Sequence, residues 1–71
     1  MVKVKTEVLK AIMKENGLSQ RQLAIAIGVD PAVISRILNN KRKGVGSKFI
    51  GGLLRFTGMD FNELFYEEEN K

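Results

Sequence analysis

The chain has 71 residues, a mass of 8.0 kDa and a net charge of +4, with neither cysteine nor histidine. This length suits one small domain, since such a chain buries only about 60% of its unfolded surface. The composition excludes disulfides and thiolate or imidazole metal sites, and it lacks the usual catalytic thiol and general base. No apolar run approaches the roughly 18 residues of a membrane span, and no secretory leader is recognisable. We therefore expect a cytoplasmic binding domain that is not an enzyme and needs no cofactor or small-molecule ligand.

The charge is distributed unevenly along the chain. Residues 1–58 carry eleven Lys or Arg against three acids, a net charge of +8, whereas residues 59–71 carry five acids against one Lys, a net charge of −4. A basic body favours a polyanionic partner, although a solvated charged surface gives the same count. We expect one domain over residues 1–66 and a frayed acidic tail over residues 67–71.

Apolar residues follow helical spacing over most of the chain, and only residues 1–5 alternate as a strand does. The first helix is predicted over Thr6–Asn16, with Thr6 as its N-cap and Gly17 beyond its end. Its inward face comprises Val8, Leu9, Ile12 and Met13. The polar residues of this helix remain on the opposite side.

Two further helices have clear start signals. Ser19 followed by Gln22 is a capping box that begins the second helix, and Gly28 ends it. Asp30 caps the third helix, with Pro31 at its first position, where the missing N–H is not needed. These signals leave only a three-residue turn between the two helices.

The remaining chain predicts two more helices after a basic loop. Ser47 can cap the fourth helix, Gly58 ends it, and Asp60 can cap a short fifth helix. Gly51 and Gly52 inside the fourth helix each cost about 1 kcal/mol relative to Ala. Close approach of another backbone best explains such a pair, with a kink of the helix as the alternative. The apolar set of these helices comprises Phe49, Ile50, Leu53, Leu54, Phe56, Phe61, Leu64 and Phe65. The predicted fold is a compact all-α domain of five helices.

The turn at residues 28–30 is too short for antiparallel helices, so the second and third helices must cross steeply. That crossing needs a small residue, a residue tolerant of positive φ and an apolar residue at the corner, and Ala24, Gly28 and Ile34 fill these positions. The residues that support the motif are Leu23, Ala24, Ile27, Gly28, Val29, Ile34 and Ile37. They predict a helix-turn-helix over about residues 19–39.

At this point the chain resembles the lambda-repressor-like, Cro/repressor-type helix-turn-helix family. The resemblance is carried by SQRQLA at residues 19–24, IGV at residues 27–29 and ISRI at residues 34–37, and it extends over about residues 8–65. It implies a five-helix bundle whose second and third helices read DNA. It also implies a homodimer on a palindromic double-stranded operator, and hence a sequence-specific transcriptional regulator of phage or prophage type.

In a helix-turn-helix the third helix enters the major groove with its N-terminal half facing the base edges. Arg36 alone there can form a bidentate pair with guanine. We expect base contacts from Pro31, Ala32, Ser35 and Arg36. The resemblance implies phosphate contacts from Gln20, Asn39, Lys41, Arg42 and Lys43, and we add Arg21, Ser47 and Lys48 near two helix starts.

Several positions depart from the family pattern. Pro31 and Ala32 stand where the family often has polar side chains, and Ile25 stands where it usually has a charged or amide residue. An exposed apolar residue beside the DNA-reading unit favours an alternative: a protein-binding modulator that grips another repressor through the second and third helices. The candidate protein-interface residues are Ile25, Met59 and Tyr66. A dimer surface is expected around Phe56 and Met59, or through residues 1–5 pairing as a strand.

Overall fold

The two ends of the chain meet in a short antiparallel sheet. The computed structural model describes residues 1–39 and 44–68, with strand β1 at Val2–Val4 and strand β2 at Phe65–Glu67. Lys3 lies opposite Tyr66, and Val4 lies opposite Phe65. The strand that the alternation over residues 1–5 predicted is therefore present. β1 pairs with β2 of its own chain along one edge, so a dimer joined through residues 1–5 would have to add a strand at the other edge of β1 or displace β2.

Five helices account for most of the described residues. They are α1 at Thr6–Asn16, α2 at Gln20–Ile27, α3 at Pro31–Leu38, α4 at Ser47–Thr57 and α5 at Phe61–Leu64. The predicted five-helix domain is thereby confirmed, with the small sheet as an addition that the all-α description did not contain. Each helix is short, so its stability depends on packing an apolar face.

Helix ends follow the predicted glycine pattern. Gly17, Gly28 and Gly58 adopt the left-handed conformation with φ between 61° and 80° at the C-termini of α1, α2 and α4. Non-glycine residues are disfavoured there because their Cβ crowds the backbone in this region. Local sequence signals therefore set where these three helices stop.

Two predicted N-caps are corrected by the structure. Thr6 is the first residue of α1 rather than its cap, and Lys5 occupies the capping position without a side-chain hydrogen bond. The cause is the sheet: the Lys5 N–H donates to the Leu64 carbonyl at 2.7 Å, which holds Lys5 extended. Likewise Ser47 is the first residue of α4, and the extended residue before it is Gly46.

One apolar cluster joins all five helices and both strands. Its buried members are Val4, Leu9, Ile12, Leu23, Ala24, Ile27, Ile34, Ile37, Phe49, Leu53, Leu64 and Phe65. Phe65 brings β2 into this cluster, with its ring edge-on to Phe49 at a centroid distance of 6.2 Å. Phe61, predicted to face the core, is instead 39% exposed, and Phe56, which belongs to the apolar set of the fourth helix and to the expected dimer surface, is 38% exposed. Phe61, at the start of α5, still contacts the core through Phe65, with ring centroids 5.1 Å apart.

The glycine pair in α4 has unequal roles. A Cβ at Gly52 would overlap the Ile27 carbonyl oxygen at the end of α2, so this glycine lets the two helices approach closely. A Cβ at Gly51 would make only ordinary contact with the Arg55 side chain. The predicted close approach to another backbone is present at Gly52 alone.

The acidic end begins later than predicted. Glu67 belongs to β2, the Glu68 N–H donates to the Met1 carbonyl at 2.9 Å, and the Glu68 carboxylate lies 3.0 Å from Lys3 Nζ. Cross-strand pairing therefore incorporates both residues into the fold. The rest of the predicted tail, residues 69–71, lies outside the described residues.

Candidate nucleic-acid interface

The turn between α2 and α3 is built by backbone hydrogen bonds to a single carbonyl. The N–H groups of Gly28 and Val29 donate to the Ala24 carbonyl at 2.8 and 2.9 Å. Ala24 is completely buried, and a larger side chain would push α3 away at this point. The short turn and the small residue together bring the start of α3 directly against α2.

Helix α3 has distinct inner and outer faces. Ile34 and Ile37 are buried in the core, and Val33 and Leu38 are half-buried beside them. The opposite side, which we call the outer face of α3, is formed by Pro31, Ala32, Ser35, Arg36 and Asn39. These positions share one stripe because residues three or four apart lie on the same side of a helix. All four predicted base-contacting residues therefore lie together on this face.

The first turn of α3 leaves no backbone donor unpaired. Asp30 Oδ1 accepts from the Ala32 N–H at 2.8 Å, and the Asp30 carbonyl accepts from the Val33 N–H at 2.9 Å. Pro31 has no N–H to offer. The front of the outer face is therefore an apolar surface, with the Asp30 carboxylate at its edge.

Arg36 lies one turn further along this face and is exposed. No carboxylate among residues 1–39 and 44–68 lies within ion-pair distance of it. On the same face, Asn39 Nδ2 lies 3.5 Å from Ser35 Oγ, at the long limit of a hydrogen bond, and this pair does not involve Arg36. The guanidinium therefore remains available for an external acceptor.

The start of α2 is closed by its own side chains. The Gln22 N–H donates to Ser19 Oγ at 3.1 Å, and the Ser19 N–H donates to Gln22 Oε1 at 2.9 Å. This is the predicted capping box, and it takes up one of the first-turn donors. Gln20 and Arg21, which we expect to contact phosphate, are exposed beside it.

The start of α4 differs because no side chain caps it. Gly46 precedes the helix, and within the described chain the N–H groups of Ser47, Lys48 and Phe49 have no acceptor. The Lys48 side chain is exposed and forms no ion pair with a described acid. Open N–H groups next to a cation are suited to an anionic oxygen, because the helix dipole adds to the charge.

A family model described as helix-turn-helix matches residues 9–64, which is most of the chain. The chain belongs to the lambda-repressor-like helix-turn-helix family. This finding confirms the resemblance inferred from the sequence. A relative in Bacillus subtilis (strain 168), the HTH-type transcriptional regulator YvzC, itself uncharacterized, is 37% identical over 65 residues. The match covers 92% of this chain and 83% of that protein, and no solved structure is significantly similar.

Some predicted site residues of this helix-turn-helix protein lie on elements other than α3 or outside the described residues. The loop cations Lys41, Arg42 and Lys43 lie outside the described residues. Of the candidate protein-interface residues, Ile25 is 71% exposed on α2, whereas Met59 and Tyr66 belong to the α4–α5 connection and β2. These three residues therefore belong to different elements.

Sequence reasoning placed Ser47 and Lys48 near phosphate but missed that the start of α4 has no side-chain cap. A serine before a helical run is typically an N-cap, and its hydroxyl then accepts a hydrogen bond from a first-turn N–H. This is the role predicted for Ser47. The extended backbone of Gly46 moves the helix start one residue earlier and removes the cap. The order Gly46-Ser47 was the available signal, since Gly is also accepted at N-caps.

Within the described residues, no helix is long and apolar enough to span a membrane, and no three acidic, histidine or cysteine side chains form a cation site.

Proposed function

We propose that this protein is a sequence-specific double-stranded DNA-binding transcriptional regulator whose helix α3 lies in the major groove. Membership of the helix-turn-helix family supports DNA binding. The observation that carries the specific proposal is the outer face of α3, where Arg36, which pairs with no described acid, lies beside Pro31, Ala32 and Ser35. A helix fits the major groove, where an arginine can bond both O6 and N7 of guanine.

Phosphate contacts would position this face on the duplex. The open N–H groups at the start of α4, together with Lys48, are suited to one phosphate, and exposed Gln20 and Arg21 are suited to another. Asn39 at the end of α3 and the cations Lys41, Arg42 and Lys43 extend the proposed set. Such contacts hold the register of the protein on DNA without reading sequence.

The proposed DNA-bound form is a homodimer acting as a repressor or Cro-type regulator, with phage or prophage origin suggested by the family resemblance. Two half-sites one helical turn apart, about 34 Å, require a two-fold pair of α3 helices. Phe56, Met59 and Phe61 provide partly exposed apolar surface near the end of α4, which favours this region for self-association. A regulator that binds chromosomal DNA in this way would act in the cytoplasm.

Duplex binding measured as a function of salt tests the proposal. A duplex selected by the protein from a random library should bind more tightly than unselected duplex. Affinity should fall steeply between about 50 and 200 mM salt, because phosphate contacts release counterions. Absence of binding to any duplex at low salt would refute the proposal.

One observation favours a second candidate function, a modulator that binds another repressor. Ile25 is the most exposed of the large apolar residues in the described chain, and it lies on α2 next to the proposed DNA interface. Isolated exposed apolar residues are common on soluble proteins, so this candidate needs a partner complex as evidence.

A pull-down with matched variants separates the two functions. If Ile25 anchors a partner, Ile25→Asp should abolish the complex and Ala26→Asp, at the neighbouring exposed position of α2, should weaken it less. A partner retained equally by both variants would contradict the modulator function. Circular dichroism serves as the folding control.

A further inference from the structure

The front of the outer face of α3, at Pro31 and Ala32, is apolar. Pro31 carries no N–H, and the next two N–H groups are taken by the Asp30 carboxylate and carbonyl at 2.8 and 2.9 Å. The exposed side chains at this front are a proline ring and an alanine methyl group. Unlike the open start of α4, this surface has neither a side-chain nor a backbone donor for a base acceptor.

Only one base presents an apolar group in the major groove. Thymine carries a C5-methyl group there, whereas guanine, adenine and unmethylated cytosine present chiefly hydrogen-bonding groups. Placing those groups against Pro31 and Ala32 would remove water from them without replacing its hydrogen bonds. The thymine methyl has no such cost, since its contact with the alanine methyl buries apolar surface on both sides.

Arg36 sets where the thymine should lie relative to a guanine. Ala32 and Arg36 are four residues apart on the same face, with Cβ atoms about 5–6 Å from each other. Successive base pairs are about 3.4 Å apart, so the two side chains reach bases within about two steps of one another. Resting on the proposed DNA-binding function, we infer that each half-site contains a thymine whose C5-methyl group packs against Pro31 and Ala32, within two base pairs of the guanine bound by Arg36.

Uracil provides the direct test, because it differs from thymine only by lacking the methyl group. A duplex selected by the protein is prepared with thymine or with uracil at each selected thymine within two base pairs of the guanine, one position at a time, and both dissociation constants are measured. Loss of one buried methyl group should weaken binding about fourfold. The same replacement outside the half-site should have no effect.

Matched alanine variants assign the effect to α3. Ala32→Gly should bring the uracil-to-thymine ratio of dissociation constants close to one, whereas Ala26→Gly, at an exposed position of α2, should keep the wild-type ratio. The ratio is taken with one protein preparation, so a change in its folded fraction cancels. If Ala32→Gly does not fold, Ala32→Ser replaces it, and its hydroxyl should also lower the ratio.

The outcomes separate this inference from the proposed function. A protein that binds no duplex overturns both. A protein that selects a duplex yet binds uracil and thymine equally overturns the methyl contact and leaves DNA binding intact. Selection of cytosine at this position, with its amino group donating to Asp30, would also overturn it, as would an Ala32→Gly variant that keeps the wild-type ratio.

Discussion

At the scale of single residues, the proposed base readout would depend chiefly on Arg36. It is the one long cationic side chain on the outer face of α3, and among the described acids none neutralises it. The other members of the face, Pro31, Ala32, Ser35 and Asn39, are uncharged. We therefore expect base preference to depend on one strong polar contact supported by apolar contacts.

Arg36→Ala should reduce the preference for the selected duplex over random duplex by about 5- to 150-fold, which corresponds to the roughly 1–3 kcal/mol of one bidentate pair. Arg55→Ala removes the same charge from the exposed end of α4 and should leave that preference unchanged. Competition binding with both duplexes measures the ratio. Equal preference in wild type and Arg36→Ala would show that Arg36 contacts no base.

Adding a methyl group should have opposite effects on stability at the two adjacent glycines of α4. Gly52→Ala should destabilise the domain by about 1–3 kcal/mol, because its Cβ would overlap the Ile27 carbonyl. Relieving this overlap requires the backbone of α2 to move away from α4. Gly51→Ala should stabilise it by up to about 1 kcal/mol through helix propensity, since its position is open. Urea unfolding of the two variants gives both signs. A stabilising Gly52→Ala would contradict the close packing of α2 on α4.

At the scale of elements, the starts of α2, α3 and α4 differ in whether a side chain caps their first N–H groups. α2 and α3 begin with side-chain caps from Ser19 and Asp30, whereas α4 begins after the uncapped Gly46. Capped starts stabilise their own helices, and an uncapped start leaves donors for an external anion. This division favours α4 as a phosphate anchor and α3 as the reader of bases.

Lys48→Ala should therefore weaken selected and random duplexes by similar factors. The slope of log affinity against log salt should become shallower by about one unit per chain, because one phosphate contact is lost. Lys10→Ala, on the exposed side of α1, is the control of equal charge and should leave the slope unchanged. A Lys48→Ala variant with the wild-type slope would remove α4 from the interface.

Joining the chain ends stabilises the molecule as a whole. β1 and β2 are three residues each, too short to be stable alone, and they depend on Val4 and Phe65 entering the core. Phe65 is 1% exposed and contacts both Phe49 and Phe61. Part of the acidic C-terminal region therefore belongs to the fold.

Phe65→Ala should cost about 3–5 kcal/mol, a large share of the stability of a domain this small. Tyr66→Ala, at the next and largely exposed position, should change stability by less than about 1 kcal/mol. Thermal unfolding followed by circular dichroism measures both. Similar unfolding temperatures for the two variants would indicate that β2 is not coupled to the core.

The sequence by itself determined the features that depend on neighbouring residues. The helix spans, the left-handed glycine at residue 28, the capping box at Ser19 and the helix-turn-helix were all predictable, because caps, turns and apolar periodicity act over a few residues. The outer face of α3 followed from the same periodicity.

Only the tertiary structure decided how distant segments meet. The pairing of residues 2–4 with residues 65–67, the partial exposure of Phe56 and Phe61, and the contact of Gly52 with Ile27 each join elements far apart in sequence. Local sequence indicated a close approach at the glycine pair and a strand over residues 1–5, but it does not identify the distant partner of either. Which charges are paired is likewise decided only in three dimensions: Lys3 pairs with Glu68 at the sheet, whereas Arg36 and Lys48 remain unpaired with any described acid.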